Sequence, residues 1–277
     1  MAPRLAPFVW RDVTHVQVVP EVLAALVVLA IAYAWAQHRV PGWPARRLAA
    51  FLGALVTLAL ATQSVVGVYD RAYFSDHMIQ HLALIMVAGP LLALSAPLDL
   101  AAALAAPVRA ALDSRVGRAL THPLIAFAAY FVFIPLTHLT GLFDVVLTHP
   151  VAHEVEHVAF VAVGYLFFRA AFGIESGRRL HPGLRLVYVM AAVPVDTFTG
   201  LALAMSSFNP FPAYRTLAPT GSTPASILAN VHLGGAIMWI GGDALMLAWA
   251  APIAWAWVRE EDRRTAELDA RLDAEGR

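Results

Sequence analysis

The sequence lacks cysteine and lysine and carries little charge of either sign. Without cysteine, disulfides, thiolate metal sites and cysteine nucleophiles are excluded. Only 14% of the 277 residues are charged and 60% are apolar, whereas soluble domains are about one quarter charged and about half apolar. The formal net charge is zero, which offers no electrostatic basis for binding nucleic acid. The composition therefore excludes a soluble globular enzyme, a disordered protein and a nucleic-acid binder.

Long apolar segments are what the sequence has instead. A helical crossing needs about 20 apolar residues, and in lipid a helix satisfies its own backbone hydrogen bonds. We therefore expect an all-α integral membrane bundle of seven helices, forming one domain over residues 1–258, with a charged cytoplasmic tail over 259–277. The predicted spans are 20–37, 48–68, 77–97, 119–140, 150–173, 183–205 and 227–258.

A shorter segment between the third and fourth predicted spans has a different pattern. Apolar residues recur every fourth position between Asp99 and Arg115, at Leu100, Leu104, Val108 and Leu112. That period is typical of an amphipathic helix with one apolar stripe. We expect a single helix here that lies on the membrane surface rather than crossing it.

The arginines predict how the bundle is oriented. Fifteen of the 19 fall on one side, in the first, third and fifth loops, the adjoining helix end and the tail; the other four are Arg4, Arg11, Arg71 and Arg215. Because basic residues favour the cytoplasmic side, we expect the N-terminus outside and the C-terminus in the cytoplasm. Ala34-Trp35-Ala36 resembles a signal-peptide cleavage site, but cleavage there would leave the following arginines on the outside.

Histidine is the one polar residue type in surplus, with 11 copies. On this topology eight lie at the outer ends of helices or in outer loops: His15, His77, His81, His138, His149, His153, His157 and His232. Two pairs, His77 with His81 and His153 with His157, have a spacing of four residues. That spacing places both imidazoles on one helix face, about 6 Å apart along the axis. Two such helices could bind one metal ion or two, and we expect this site at the wet outer interface.

Other residues near the pairs could add ligands or orient the imidazole rings. These candidates are Asp76, Met78, His138, His149, Glu154, Glu156 and His232. Asp196 and Asp243 differ from them because they lie near the middle of predicted spans. Intramembrane carboxyl groups are costly unless paired, so we expect both to face the interior, in a polar network with Thr197, Thr199 or Tyr188.

The same residues are also compatible with two other classes of site. His153-Glu154-Val155-Glu156-His157 matches the H-E-x-x-H pattern of zinc metalloproteases, in which the glutamate activates water. This interpretation lacks an identifiable third ligand and leaves His77 and His81 unexplained. A haem held between helices by one histidine from each is the other alternative, although it does not require pairs.

Three stretches resemble the CtaG-type family of bacterial cytochrome c oxidase assembly factors. They are Ser75–Leu82 continuing through Gly89–Pro97, His153–Phe168, and Leu233-Gly234-Gly235-Ala236-Ile237-Met238-Trp239. The resemblance implies a seven-helix, non-enzymatic membrane protein that delivers or inserts copper into a haem–copper oxidase at the outer face. Its partners would be an oxidase subunit or a periplasmic copper chaperone. The positions that match the family motif are His77, His81, His153 and His157.

Overall fold

The computed structural model describes residues 6, 14, 16–174 and 180–275, and these residues form helices and loops without a strand. His15, Arg4, Arg11, Arg178, Arg179 and Arg277 lie outside the described residues. The helices are α1 (Pro20–His38), α2 (Ala45–Gln63), α3 (Val65–Tyr69), α4 (Phe74–Ala83), α5 (Gly89–Ser95), α6 (Pro97–Leu104), α7 (Ala106–Asp113), α8 (Arg115–Leu120), α9 (Pro123–His138), α10 (Leu142–Thr148), α11 (Pro150–Phe172), α12 (Pro182–Met190), α13 (Val193–Ala204), α14 (Tyr214–Leu217), α15 (Pro224–Ala236) and α16 (Gly242–Glu275).

The predicted all-α membrane class is confirmed. Six helical segments of the described part of the chain are long and apolar enough to cross a membrane: Pro20–His38, Ala45–Gln63, Phe74–Leu104, Pro150–Phe172, Pro182–Ala204 and Pro224–Ala274. The pair α9 and α10, bent by 72°, would be a seventh if it is one span, so the number seven stays a prediction. The expected start of this span at residue 119 is wrong. Pro123 begins α9, and the side chain of His122 accepts a hydrogen bond from the Leu124 amide, which suits a helix start.

The predicted surface helix between Asp99 and Arg115 is also wrong, because α6 ends and α7 begins within it. Ala105 has extended backbone, and Pro107 follows in the first turn of α7. Proline has no amide hydrogen, and its ring clashes with the carbonyl four residues earlier, so a continuous helix is broken there. Leu100 is buried with Tyr33 and Phe51 in a small apolar cluster, so the start of this segment packs against α1 and α2.

A π-helical segment, Leu84–Ala88, joins α4 to α5 in the third span. Pro90 has no amide hydrogen to reach the carbonyl of Met86, four residues earlier. The indole of Trp249 on α16 donates to that carbonyl at 2.8 Å. A side chain from a neighbouring helix thus satisfies the freed backbone group, as membrane helices require. A second π segment, Ile237–Gly241, interrupts the last span between α15 and α16.

The bundle has two chemically distinct ends. At the arginine end, defined by Arg46, Arg118 and Arg185, the Arg185 guanidinium donates to the carbonyls of Leu180 and Phe172. The histidine end, defined by His77 and His153, lies at the start of α4 and of α11. Which end faces the cytoplasm remains the prediction that the arginines make.

Candidate metal centre

The four histidines of the two predicted pairs come together inside the histidine end. The ring centroids of His77 and His153 are 6.1 Å apart, and those of His153 and His157 are 4.3 Å apart. His81 lies one turn deeper along α4, so it meets a different neighbour: its ring centroid is 5.0 Å from that of His138 at the end of α9. Helices α4, α9 and α11 therefore contribute to one cluster of five imidazoles.

The expected wet interface is wrong, because this cluster is buried in protein. The exposed fractions are 0% for His77 and His81, 5% for His153 and 8% for His157. Aromatic rings enclose the cluster. Phe143 on α10 lies 4.7 Å from His77, and Phe160 on α11 lies 4.4 Å from His81. The bend between α9 and α10 places the Phe143 ring against the site. A sequence pattern read one helix at a time does not predict this contact.

His138 is oriented as a ligand with one free nitrogen. Its Nδ1 lies 2.9 Å from the carbonyl of Ile134. A carbonyl only accepts, so Nδ1 carries the hydrogen and Nε2 keeps its lone pair. That Nε2 is buried and has no hydrogen-bond partner in the described structure. Such a second-nitrogen bond is the usual way a ligating imidazole is held.

Most polar atoms of the cluster share this lack of a partner. Within the described residues the buried, unpartnered atoms include both ring nitrogens of His77 and His81, Nε2 of His153, Nδ1 of His157 and both carboxyl oxygens of Glu156. Buried polar groups in proteins are nearly all hydrogen-bonded, and an orphaned group costs about 1–3 kcal/mol. A bound cation could accept one lone pair from each of several imidazoles and from the Glu156 carboxylate, so the residues fit a metal ion.

Among the described residues, two sets of three have ligand atoms within 4.8 Å of one another. The Asp70 set is Asp70, His153 and His157. The Glu156 set is His77, His153 and Glu156. In the ion-free geometry, Nε2 of His153 is 3.5 Å from the Asp70 carboxylate and Nε2 of His77 is 3.7 Å from that of Glu156. His153 belongs to both sets, so it is the centre of the site.

Asp70 and Gln80 belong to this site, although the sequence did not single them out as ligands. The Gln80 amide nitrogen donates to the Asp70 carboxylate at 2.9 Å and to the Ala61 carbonyl at 3.0 Å. Its oxygen lies 2.8 Å from Nε2 of His157. Burial raises the pKa of Asp70 from its usual 3.8 to about 7. The position of Gln80 between His77 and His81 is the only sequence signal for it.

Tyr214 on α14 approaches the site from the loop before the last span. Its hydroxyl is buried and has no hydrogen-bond partner in the described structure. Burial, and after it the nearby carboxylates of Asp70 and Glu156, raise the pKa of this phenol well above its usual value. The phenol therefore stays protonated and presents a hydrogen-bond donor beside the carboxylates.

A cavity of about 1030 Å³, lined by residues of α1, α2, α5 and α11, reaches the Asp70 set. Asp70, His153 and His157 line its polar part, and apolar residues such as Leu58 and Val161 line the rest. The two histidines among the described lining residues lie on the same helix, α11. A haem held between helices by one histidine from each has these ligands on its opposite faces, and two histidines of one helix face do not provide that arrangement.

The remaining sequence-predicted candidates belong to neither ligand set. Asp76 accepts a hydrogen bond from Ser75, which is itself bonded to Asn230, and Met78 is packed in the apolar core. The side chain of Glu154 is 73% exposed, with its carboxylate 3.7 Å from Nδ1 of His157. His149 is exposed and bonded to the Val145 carbonyl, and His232 is bonded to the Ser206 carbonyl.

Asp196 and Asp243 form a separate polar group deeper in the bundle. Asp196 is fully buried, as expected, and accepts a hydrogen bond of 2.5 Å from the Tyr130 hydroxyl. Asp243 accepts one from Thr197 at 2.9 Å, which was among the expected partners. Tyr188 was an expected partner too, but its hydroxyl donates instead to the Pro123 carbonyl. Tyr130 lies two turns below His138 on α9, so this group is separate from the histidine cluster.

Comparison with known proteins identifies relatives over most of the chain. The model of the family described as cytochrome c oxidase caa3 assembly factor matches residues 27–260. Uncharacterized proteins of Mycobacterium bovis and Mycobacterium tuberculosis are each 34% identical over 274 residues, and one of Mycobacterium leprae is 32% identical over 271. These alignments cover 91% of this chain and 40% of each relative, so the chain spans well under half the length of the curated relatives it matches. No solved structure gives a significant match.

Proposed function

The chain belongs to the cytochrome c oxidase caa3 assembly factor family, and on that basis we propose that it binds copper at the outer end of a bacterial plasma-membrane bundle and helps deliver it to a haem–copper oxidase. It would act without catalysing a reaction. The recipient would be an oxidase subunit, and a periplasmic copper chaperone would be the donor.

One observation carries the proposal: the two ligand sets that share His153, surrounded by imidazole nitrogens without hydrogen-bond partners. An apolar membrane interior does not tolerate such a group of polar side chains unless something binds them. His77 and His153 come from two different predicted pairs, so the cluster joins both pairs in one site. His138 adds a further unpartnered ring nitrogen, Nε2, on the inner side of this cluster.

The donor atoms favour copper in its oxidised form. Imidazole nitrogen suits copper and zinc, whereas Cu(I) prefers thiolate and thioether sulfur. The sequence has no cysteine, and Met78 is packed in the apolar core rather than in either ligand set. Nitrogen and carboxylate oxygen together suit Cu(II), so we expect the purified protein to bind the cupric ion.

Metal analysis of the purified full chain tests this proposal. After incubation with Cu(II) and removal of free ion, the wild type should retain copper, and a His153→Gln variant should retain little. His149→Gln is the matched control, because His149 is a histidine of the same end of the bundle but lies outside both ligand sets. Electron paramagnetic resonance of the wild type should show nitrogen coupling from imidazoles. A wild type that retains no more copper than His153→Gln contradicts the proposal.

A zinc hydrolase is a second candidate, because Asp70 could provide the third ligand that the sequence did not identify. Asp70 stands beside His153 and His157 of the H-E-x-x-H pattern, and a large cavity reaches them. In such an enzyme Glu154 would activate water. Zinc-dependent peptide hydrolysis that Glu154→Gln abolishes would support this candidate. The candidate leaves His77, His81 and His138 without a role, so we place it second.

A further inference from the structure

The two ligand sets differ in how open they are to the cavity. Asp70 and His157 line the cavity of about 1030 Å³, whereas neither His77 nor Glu156 is among the described residues that line it. All these side chains are nearly buried, with exposed fractions of 4% for Asp70, 8% for His157, 0% for His77 and 3% for Glu156, so contact with the cavity is what distinguishes the two sets. An ion that enters through the cavity therefore meets the Asp70 set first and the Glu156 set second.

His153 is the only residue that the two sets have in common. An ion that leaves Asp70 and His157 for His77 and Glu156 can therefore stay bound to His153 throughout. This continuity matters because a bare ion in a buried, apolar site carries a very large desolvation cost. Because His153 stays bound, the other bonds can be exchanged one at a time and the ion is never without a ligand.

The described imidazoles continue the path beyond the Glu156 set. The ring of His138 lies 6.0 Å from that of His77 and 5.0 Å from that of His81. Nε2 of His138 and both nitrogens of His81 have no hydrogen-bond partner in the described structure. On the side away from the cavity, the Glu156 set therefore has more imidazole nitrogens nearby that could bind a metal. An ion there would be retained more strongly than at the Asp70 set.

We propose that the site has two successive positions for the metal, an entry position at the Asp70 set and a storage position at the Glu156 set, with His153 bound to the ion in both. The proposal rests on the proposed copper-binding function. In the transfer, bonds from the ion to Asp70 and His157 break while bonds to His77 and Glu156 form. The number of ligand bonds from these two sets stays at three, and the oxidation state does not change.

Gln80 holds the entry position in place while it is empty. Its amide nitrogen donates to Asp70 and its oxygen accepts from His157, so one side chain sets the separation of the two ligands that belong to the entry position alone. Nε2 of His157 is the donor in that bond. An ion that binds His157 through Nε2 must therefore displace Gln80. Gln80 is a positioning residue in this scheme, not a ligand.

Separate measurement of equilibrium affinity and exchange rate tests the two positions. The purified chain in nanodiscs is loaded with Cu(II), and transfer to EDTA is followed by stopped flow. Asp70→Asn and His157→Gln remove entry ligands, so loading and release should slow by about tenfold or more while the dissociation constant changes by less than about threefold. His77→Gln and Glu156→Gln remove storage ligands, so the dissociation constant should rise by about tenfold or more. Loading should stay as fast as in the wild type, and release should become faster by the same factor.

Two further variants keep the test decisive. His153→Gln should lose both positions, and His149→Gln should behave like the wild type. Asp70→Asn and Glu156→Gln are nearly isosteric, so they keep the comparison valid if a histidine variant fails to fold. If entry and storage variants change affinity and rate alike, the site has one position and the relay is wrong, although copper binding stands. If the wild type binds no copper, the proposed function itself fails.

Discussion

Gly89 and Gly164 lie so close across the contact between α5 and α11 that a β carbon on Gly89 would sit 2.8 Å from the carbonyl carbon of Gly164. A β carbon on Gly164 would clash with the carbonyl oxygen of Ile85. Small residues allow membrane helices to approach in this way. The contact lies about 10–12 Å along each helix from His81 and His157, so it sets the separation of the two helices that carry the histidine pairs.

Gly164→Ala should therefore weaken both the fold and the metal site. The added methyl group meets backbone, which cannot rotate away, so α11 must move. Overpacking of this kind costs about 1–3 kcal/mol, and we expect a lower unfolding temperature in detergent and weaker retention of copper. Gly141→Ala is the control, since a β carbon at Gly141 meets nothing within 4 Å. Equal unfolding temperatures for the two variants would show that the contact does not control the helix separation.

Gln80→Met should slow copper uptake while leaving the fold intact. Methionine keeps the volume and flexibility of glutamine but removes the bonds to Asp70, to the Ala61 carbonyl and to His157, so the unfolding temperature should also fall. Loss of residues that orient ligands typically costs about 10–100-fold in metal affinity or activity, and we expect loading by Cu(II) to slow by about tenfold. Gln80→Glu should not restore the wild-type rate, since a carboxylate cannot donate to Asp70.

Gln37→Met is the matched control for that measurement, because Gln37 lies on α1 near the arginine end. It should load copper at the wild-type rate. An unchanged loading rate in Gln80→Met would mean that Asp70 and His157 keep their positions without the amide, and Gln80 would then be part of the packing alone.

The periodicity of the histidines was enough to predict which helix faces meet, because a spacing of four residues fixes one face whatever the tertiary structure. His138 and His149 looked equivalent in the sequence, and each bonds the carbonyl four residues earlier. They differ only because α9 ends inside the bundle whereas His149 lies at the exposed start of α11. That difference depends on packing and could not be predicted from the local sequence.

Asp70 was missed as a ligand for a related reason. It follows a break at Ser64, where α2 ends and the short α3 begins, and no periodic pattern joins it to the histidines. The depth of the site was missed as well. Burial of His77 depends on Phe143, which lies on α10 beyond the 72° bend, and a sequence pattern for one helix does not report which neighbour covers it.

Tyr130→Phe should destabilise the protein without affecting copper binding. The substitution removes the 2.5 Å hydrogen bond to Asp196 and leaves that fully buried carboxyl group without a described partner. Hydrogen bonds between membrane helices contribute about 0.6–2 kcal/mol, so thermal unfolding should occur at a lower temperature. Tyr188→Phe loses a 3.2 Å bond to a carbonyl and should cost less. A change in copper affinity in Tyr130→Phe would instead connect the Asp196 group to the metal centre.

The orientation of the bundle decides whether the metal centre opens to the outside, and the absence of cysteine makes it directly measurable. Single cysteines can be introduced at exposed positions and labelled on intact cells with a membrane-impermeant maleimide. Thr140→Cys and Thr220→Cys, at the histidine end, should be labelled from outside. Ala110→Cys and Ala270→Cys, at the arginine end and in the tail, should be labelled only after the cells are permeabilised, because basic segments stay in the cytoplasm. The opposite labelling pattern would place the histidine cluster on the cytoplasmic side, where it could not receive copper from a periplasmic donor.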